Sequence, residues 1–165
     1  YQLLNINKFL ELVKSKKKQH QQVFKKLKGT DTKVLDRNFH QAHQEVFTEF
    51  NCLECANCCK TTSPRLYPID IERMAHALQM RPSELMDKYI VMDEDQDYVF
   101  HSSPCPFLEQ DNTCRIYDFR PKACREYPHT DRKNMTQILD LTYKNIAVCP
   151  AVFIMLERIK DKMKL

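Results

Sequence analysis

Apolar residues recur along this chain mostly at steps of three and four, the spacing of a single helix face, so the pattern predicts a mainly helical protein. Leu3, Leu4, Ile6, Phe9, Leu10 and Val13, followed by Val23, Phe24 and Leu27, predict one or two amphipathic helices over residues 2–28, ended at Gly29. Thr30 or Asp31 caps a second helix whose stripe is Val34, Leu35, Phe39, Ala42, Val46, Phe47 and Phe50, and which runs directly into Cys52. Two short helices are expected within 64–90. Asp70 caps the first (Ile71, Met74, Ala75, Leu78), and Pro82-Ser83-Glu84 opens the second (Leu85, Met86, Tyr89, Ile90). Tyr98-Val99-Phe100 reads as a strand after the acidic turn Asp93–Asp97, and 105–109 with 113–117 as a small hairpin. A further short element is expected around Ile138–Tyr143. Pro150 sits well as the first residue of a last helix carrying Val152, Phe153, Leu156, Ile159 and Met163.

The class expected is therefore mainly α, a small α+β fold with N- and C-terminal helices around a loop-rich cysteine core and a short β-hairpin. The Phe39, Val46 and Phe50 stripe should pack on the last helix, since neither buries its apolar face alone. At 165 residues the chain has the length of one domain. Within a single domain over 1–165, residues 1–50 form a helical extension, 52–150 the cysteine core and 150–163 the C-terminal helix. A chain this size buries roughly 70% of the surface exposed when unfolded, so the cysteines are not needed merely to staple a tiny scaffold.

With 42% hydrophobic and 29% charged residues, collagen-like and disordered classes are excluded. No apolar run approaches the ~18 residues of a membrane span, and no basic stretch leads into an apolar signal segment, so a soluble, cytoplasmic protein is expected. The first residue is Tyr1 and not Met, consistent with a segment removed upstream. The single glycine excludes Gly-rich phosphate loops and leaves turns to Pro, Asn and Asp. Residues 1–29 carry eight lysines against Glu11, leaving the rest of the chain at −3. So local a basic footprint reads as a solvated helix face and argues against a nucleic-acid partner.

The chemistry lies in eight cysteines: Cys52, Cys55, Cys58, Cys59, Cys105, Cys114, Cys124 and Cys149. Steps of two residues let thiolates converge on one ion, so the set points to metal rather than to disulfides. Cys52-x2-Cys55-x2-Cys58 matches the opening of a bacterial iron–sulfur run, and Cys105-Pro106 and Cys149-Pro150 supply Cys-Pro pairs elsewhere. A four-thiolate Zn2+ site uses the same residues equally well, so Zn2+, slightly favoured, and iron, including a [4Fe-4S] cluster, both remain open. Adjacent side chains diverge, so Cys58 and Cys59 are expected at different sites or at different edges of a shared one. The expected grouping is Cys52, Cys55 and Cys58 with Cys149, whose place before a helix favours its thiolate, and Cys59 with Cys105, Cys114 and Cys124.

The ordered blocks Cys52–Cys59, Cys105-Pro106-Phe107-Leu108, Cys114-Arg115-Ile116-Tyr117, Arg120-Pro121 through Pro128, and Cys149-Pro150 resemble the CxxCxxCC family of zinc- or iron-chelating cysteine-cluster domains. The likeness spans residues 52–150, and the stretch from Tyr67 through Leu85 is similar to the helical insert of such proteins. It departs at Ala56-Asn57, where the family commonly has Gly; Asn57 can supply the left-handed backbone instead. The resemblance implies metal binding with an unassigned role. A related flagellin lysine methylase with a similar cluster keeps open an enzyme or iron–sulfur redox protein acting on an anionic substrate, which Arg115, Arg120 and Arg125 could hold. Lys122 and Arg132 add to that positive stretch. His40, His43 and His101 are expected to be structural, with His129 the one histidine close to the motifs.

Overall fold

The computed structural model describes residues 5–165, so Leu3, Leu4 and the expected helix start at residue 2 lie outside the described residues. The fold is mainly α with one small antiparallel hairpin. The chain divides into two compact units, one made of the residues up to Cys52 together with Pro128–Leu165, the other of Leu53–Tyr127.

In the first, helical unit, α1 (Ile6–Lys28) is one continuous helix. Asn5 caps it by accepting the Lys8 N–H at 3.2 Å. It buries Phe9, His20, Val23, Phe24 and Leu27, while Lys14, Lys17, Lys18 and Lys25 stand in solvent on the opposite side. Asp31 caps α2 (Thr32–Glu49), its Oδ1 accepting from Lys33 and Val34. Two shorter helices complete the unit's order, α8 (Leu139–Asn145) and α9 (Pro150–Met163). The first turns of α9 are buried nearly all round, which makes it the helix the others pack on: α2 and α1 both contact it, and α1 also contacts α8. Phe9 and His20 meet the Phe153 ring edge-on at 5.9 and 5.2 Å. Glu157 joins these helices, bonded by Lys16, by His20 at 3.0 Å and by Lys160 at 2.9 Å. Burial opposes its ionisation, but the hydrogen bonds from Lys16, Lys160 and His20 prevail and hold the carboxyl at about 2.

In the second, cysteine unit, α3 (Cys52–Cys55, its first residue counted with the helical unit) and α4 (Asn57–Thr61) are single turns. They are followed by α5 (Pro68–Ala77), α6 (Pro82–Tyr89), β1 (Ile90–Met92), β2 (Tyr98–Phe100), a 3-10 turn at Tyr117–Phe119, and α7 (Lys122–Glu126). Ile90 pairs with Phe100 and Met92 with Tyr98. Leu66, Ile71, Met74, Leu85, Ile90, Phe100, Phe107 and Ile116 form one apolar cluster, and Cys105 and Cys114 pack against it. The core thus sits directly beneath two of the candidate ligands.

Three local expectations are revised. The sequence places a hairpin over 105–117, but there the chain makes only the Leu108–Cys114 bridge, and the true hairpin is β1–β2. The Glu109 N–H to Thr113 carbonyl (2.8 Å) and Arg115 N–H to Phe107 carbonyl (2.9 Å) bonds flank this bridge, and the pairing ends at Pro106, which has no N–H to give. Ile90, expected at a helix end, opens β1 instead. Asp70 does not cap a helix beginning at Ile71; α5 starts at Pro68, and Asp70 reaches back to accept the Tyr67 N–H at 3.2 Å.

Candidate metal centre

Six of the eight cysteines, Cys55, Cys58, Cys59, Cys105, Cys114 and Cys124, belong to the cysteine unit, whereas Cys52 and Cys149 belong to the helical one. Within the cysteine unit the first block is shaped by Ala56, which takes the left-handed conformation (φ 47°, ψ 18°) between the turns α3 and α4. This position, rather than Asn57, fills the role of the family's glycine, and Asn57 is the buried first residue of α4. Cys55 Sγ then accepts the Asn57 N–H. Cys58 and Cys59, one residue apart on α4, have sulfurs 4.0 Å apart.

The second block is tied to the first through backbone: the Cys105 N–H donates to the Cys59 carbonyl at 2.8 Å. The Leu108 N–H donates to the Cys105 carbonyl at 3.1 Å, while the Phe107 N–H favours the Cys105 thiolate and the Ile116 N–H that of Cys114. Three thiols in separate loops thus receive an N–H from two residues further on. Such bonds favour the thiolate, which is the form a metal binds. Cys124 follows on α7, its N–H held by the Pro121 carbonyl at 3.0 Å.

The electrostatics show which sulfurs are neighbours. Burial pushes Cys124 up to about 12, and Cys59, Cys105 and Cys114 each add to the effect while Arg120 opposes it. Burial pushes Cys105 up to about 11, with Cys59 and Cys114 again adding. Cys114 is raised by burial and by Cys59, against the Ile116 N–H, Arg120 and Arg115. Cys55 is raised by burial and by Cys59, against the Asn57 N–H and Lys60. Cys59 moves the other way, down to about 7, mainly through its bond from Cys58, with Arg120 and Lys60 helping against burial. Cys59 thus acts on Cys105, Cys114 and Cys124, and also on Cys55, while its own sulfur stands 4.0 Å from that of Cys58. Among the described residues, no three His, Cys, Asp or Glu side chains stand close enough to grip an ion as placed. The donor set nevertheless fits a divalent cation, since partly buried thiols that raise one another's pKa ionise readily only with a positive charge among them.

The surrounding cations are engaged in the fold. Arg120 lies over the Tyr117 ring, 3.5 Å from its centroid, and its Nε donates to the Tyr117 carbonyl at 2.7 Å. Arg115 lies over Phe107, and Arg125 donates to the Arg120 carbonyl. Arg132 lies in the helical unit, where its carbonyl meets His40 Nε2 at 2.8 Å. His43 Nδ1 meets Thr130 Oγ1 at 2.9 Å, and burial lowers its pKa. His101 stacks on Tyr89, and His129, in a left-handed turn, belongs to the helical unit. Sequence reasoning missed His20 and Asp70, both buried and both hydrogen-bonded to partners far along the chain. His20 could have been found, because it occupies a core position of the α1 stripe.

A mainly α domain built around grouped, N–H-supported thiols is a cysteine-cluster metal protein in class. The comparisons agree: the model of the CxxCxxCC family, described as "Putative zinc- or iron-chelating domain", matches residues 51–146, more than half of the chain. The chain belongs to that family. No curated protein and no solved structure matches it. Among the described residues, no helix is long and apolar enough to cross a membrane.

Proposed function

We propose that Cys59, Cys105, Cys114 and Cys124 hold one metal ion in a four-thiolate shell that stabilises the cysteine unit, with Zn2+ favoured. The observation behind this is their mutual electrostatic contact, together with the N–H groups aimed at Cys105 and Cys114. Chelation is the property the family carries. A closed shell of four thiolates leaves no position for water or substrate, which suits a structural rather than a hydrolytic ion. The two-residue step from Cys55 to Cys58 assigns that pair to a second ion. The expected content is therefore one or two ions per chain. A reduced, cytoplasmic setting is part of this reading, since thiolate ligands must escape oxidation.

The second reading, an iron–sulfur centre next to Arg120, is favoured by the cation's influence on Cys59, Cys114 and Cys124. Metal and sulfide analysis with an absorption spectrum, on protein purified without oxygen, separates the two. Stoichiometric zinc and no visible band support the first reading. Iron with sulfide and a brown colour overturns it in favour of the second, and protein free of both defeats each.

A further inference from the structure

Asp70 is wholly buried, and its carboxylate takes part in no chemistry proposed so far. It accepts three hydrogen bonds: from the Tyr67 N–H at 3.2 Å, from Arg73 Nη2 at 2.8 Å and from the Lys122 N–H at 3.0 Å. Arg73 Nη2 also donates to the Arg120 carbonyl at 2.7 Å, while its buried Nε has no partner. A buried ion pair is weak evidence for stability, because desolvation offsets most of the attraction. Here the pair has a definite address. Every long-range bond it makes lands on residues 120–122, the segment that launches α7 and so fixes where Cys124 stands.

Cys124 differs from its companions in that respect. Cys105 is tied to the first block by its N–H on the Cys59 carbonyl and Cys114 to its loop by the bridge to Leu108, whereas the Cys124 N–H is held within its own segment, by the Pro121 carbonyl at 3.0 Å. The same segment carries Arg120, whose guanidinium lies over the Tyr117 ring, three residues after Cys114, and whose Nε donates to the Tyr117 carbonyl at 2.7 Å. We propose that Asp70 and Arg73 are positioning residues of the metal centre, holding Arg120–Lys122 so that Cys124 is delivered to the other three thiols with the Arg120 guanidinium alongside. α5 is then a clamp for the fourth ligand. The inference rests on the four-thiolate reading above.

Anaerobic cobalt(II) titration of the reduced full chain tests it, because the thiolate-to-cobalt absorption band counts sulfur ligands. The informative variants are Asp70→Asn, Lys122→Pro, Cys124→Ser and the double variant of the last two. Lys122→Pro removes one N–H at the first position of α7, where proline is tolerated, and Pro121 before it already has the extended backbone that proline requires (ψ 153°). The exposed Lys122 side chain keeps this variant foldable should Asp70→Asn fail to fold. Cys124→Ser should lose about a quarter of the band of a four-thiolate centre. Asp70→Asn and Lys122→Pro should each bind cobalt about tenfold more weakly, the size of one lost hydrogen bond to a buried charge. The double variant should bind no more weakly than Cys124→Ser alone. Wild-type affinity and a full band in Asp70→Asn and Lys122→Pro, even with a lower melting temperature, would overturn the inference while leaving the four-thiolate reading intact. A wild-type chain with no thiolate band would overturn both.

Discussion

Gly29 follows α1 at φ −91°, and a Cβ there would meet only the Lys26 carbonyl, at 3.5 Å. Ala56, between two cysteines, sits in the left-handed region at φ 47°. The one glycine of the chain thus occupies a position that does not require it, and a position that favours glycine holds alanine. Gly29→Ala is expected to raise stability by about 0.5 kcal/mol through the unfolded chain. Ala56→Gly should relieve about 1–2 kcal/mol of left-handed strain against the loss of about 0.8 kcal/mol of methyl burial, a small net gain. Urea denaturation curves check both, and a destabilised Ala56→Gly would show that the strain is not there. Glu157 gives a pH dependence of known sign. Its carboxyl is held near 2 in the fold, below the ordinary 4.5, so its contribution is complete above about pH 4.5 and disappears as pH falls through 2. Glu157→Gln should cost about 2 kcal/mol at pH 7, discounted for the part still in water, and close to nothing at pH 2. Equal losses at both pH values would contradict the assignment. Residues of this kind were poorly legible in the sequence, because a single polar side chain shows its partner only after folding: His20 and Glu157 are bonded at 3.0 Å but stand far apart in the chain.

Elements were legible where an apolar stripe repeats. The stripe of Phe39 and Val46 on α2, continued by Phe50 at its end, and the packing of α2 against α9 follow from periodicity, and the starts of α6 and α9 follow from Pro82 and Pro150. Strand pairing over 105–117 was read in the right place but too long: the arms meet across Gln110–Asn112 through Glu109–Thr113 and Arg115–Phe107 bonds and then part at Pro106. Leu108 and Cys114 bridge, yet the Ile116 N–H serves the Cys114 sulfur. The adjacent Cys58 and Cys59 were expected to diverge, but both lie on the single turn α4 and their sulfurs stand 4.0 Å apart. If Cys59 serves with Cys105, Cys114 and Cys124 as proposed, Cys59→Ser is expected to lower bound metal without releasing what Cys55 and Cys58 hold. Loss of all metal from this one change would show a single coupled centre, and no loss would make Cys59 a spectator; metal analysis after gel filtration distinguishes these outcomes.

At the scale of the whole molecule the two compact units differ in what holds them. The helical unit has a continuous apolar core from α1, α2, α8 and α9, with α9 buried along most of its length. The cysteine unit relies on short turns, a three-residue hairpin and a smaller core, so ion binding as proposed there would be part of its folding free energy. Chelation under reducing conditions should remove hydrogen-exchange protection across 53–127 while α1, α2 and α9 keep theirs. The account stands most directly on the ligand shell itself, which X-ray absorption at the edge of the bound metal reads in frozen solution. For bound zinc the account predicts a shell of four sulfurs at about 2.3 Å and no light-atom ligand. Nitrogen or oxygen in that shell would contradict it, as would fewer than four sulfurs or a short metal–metal distance.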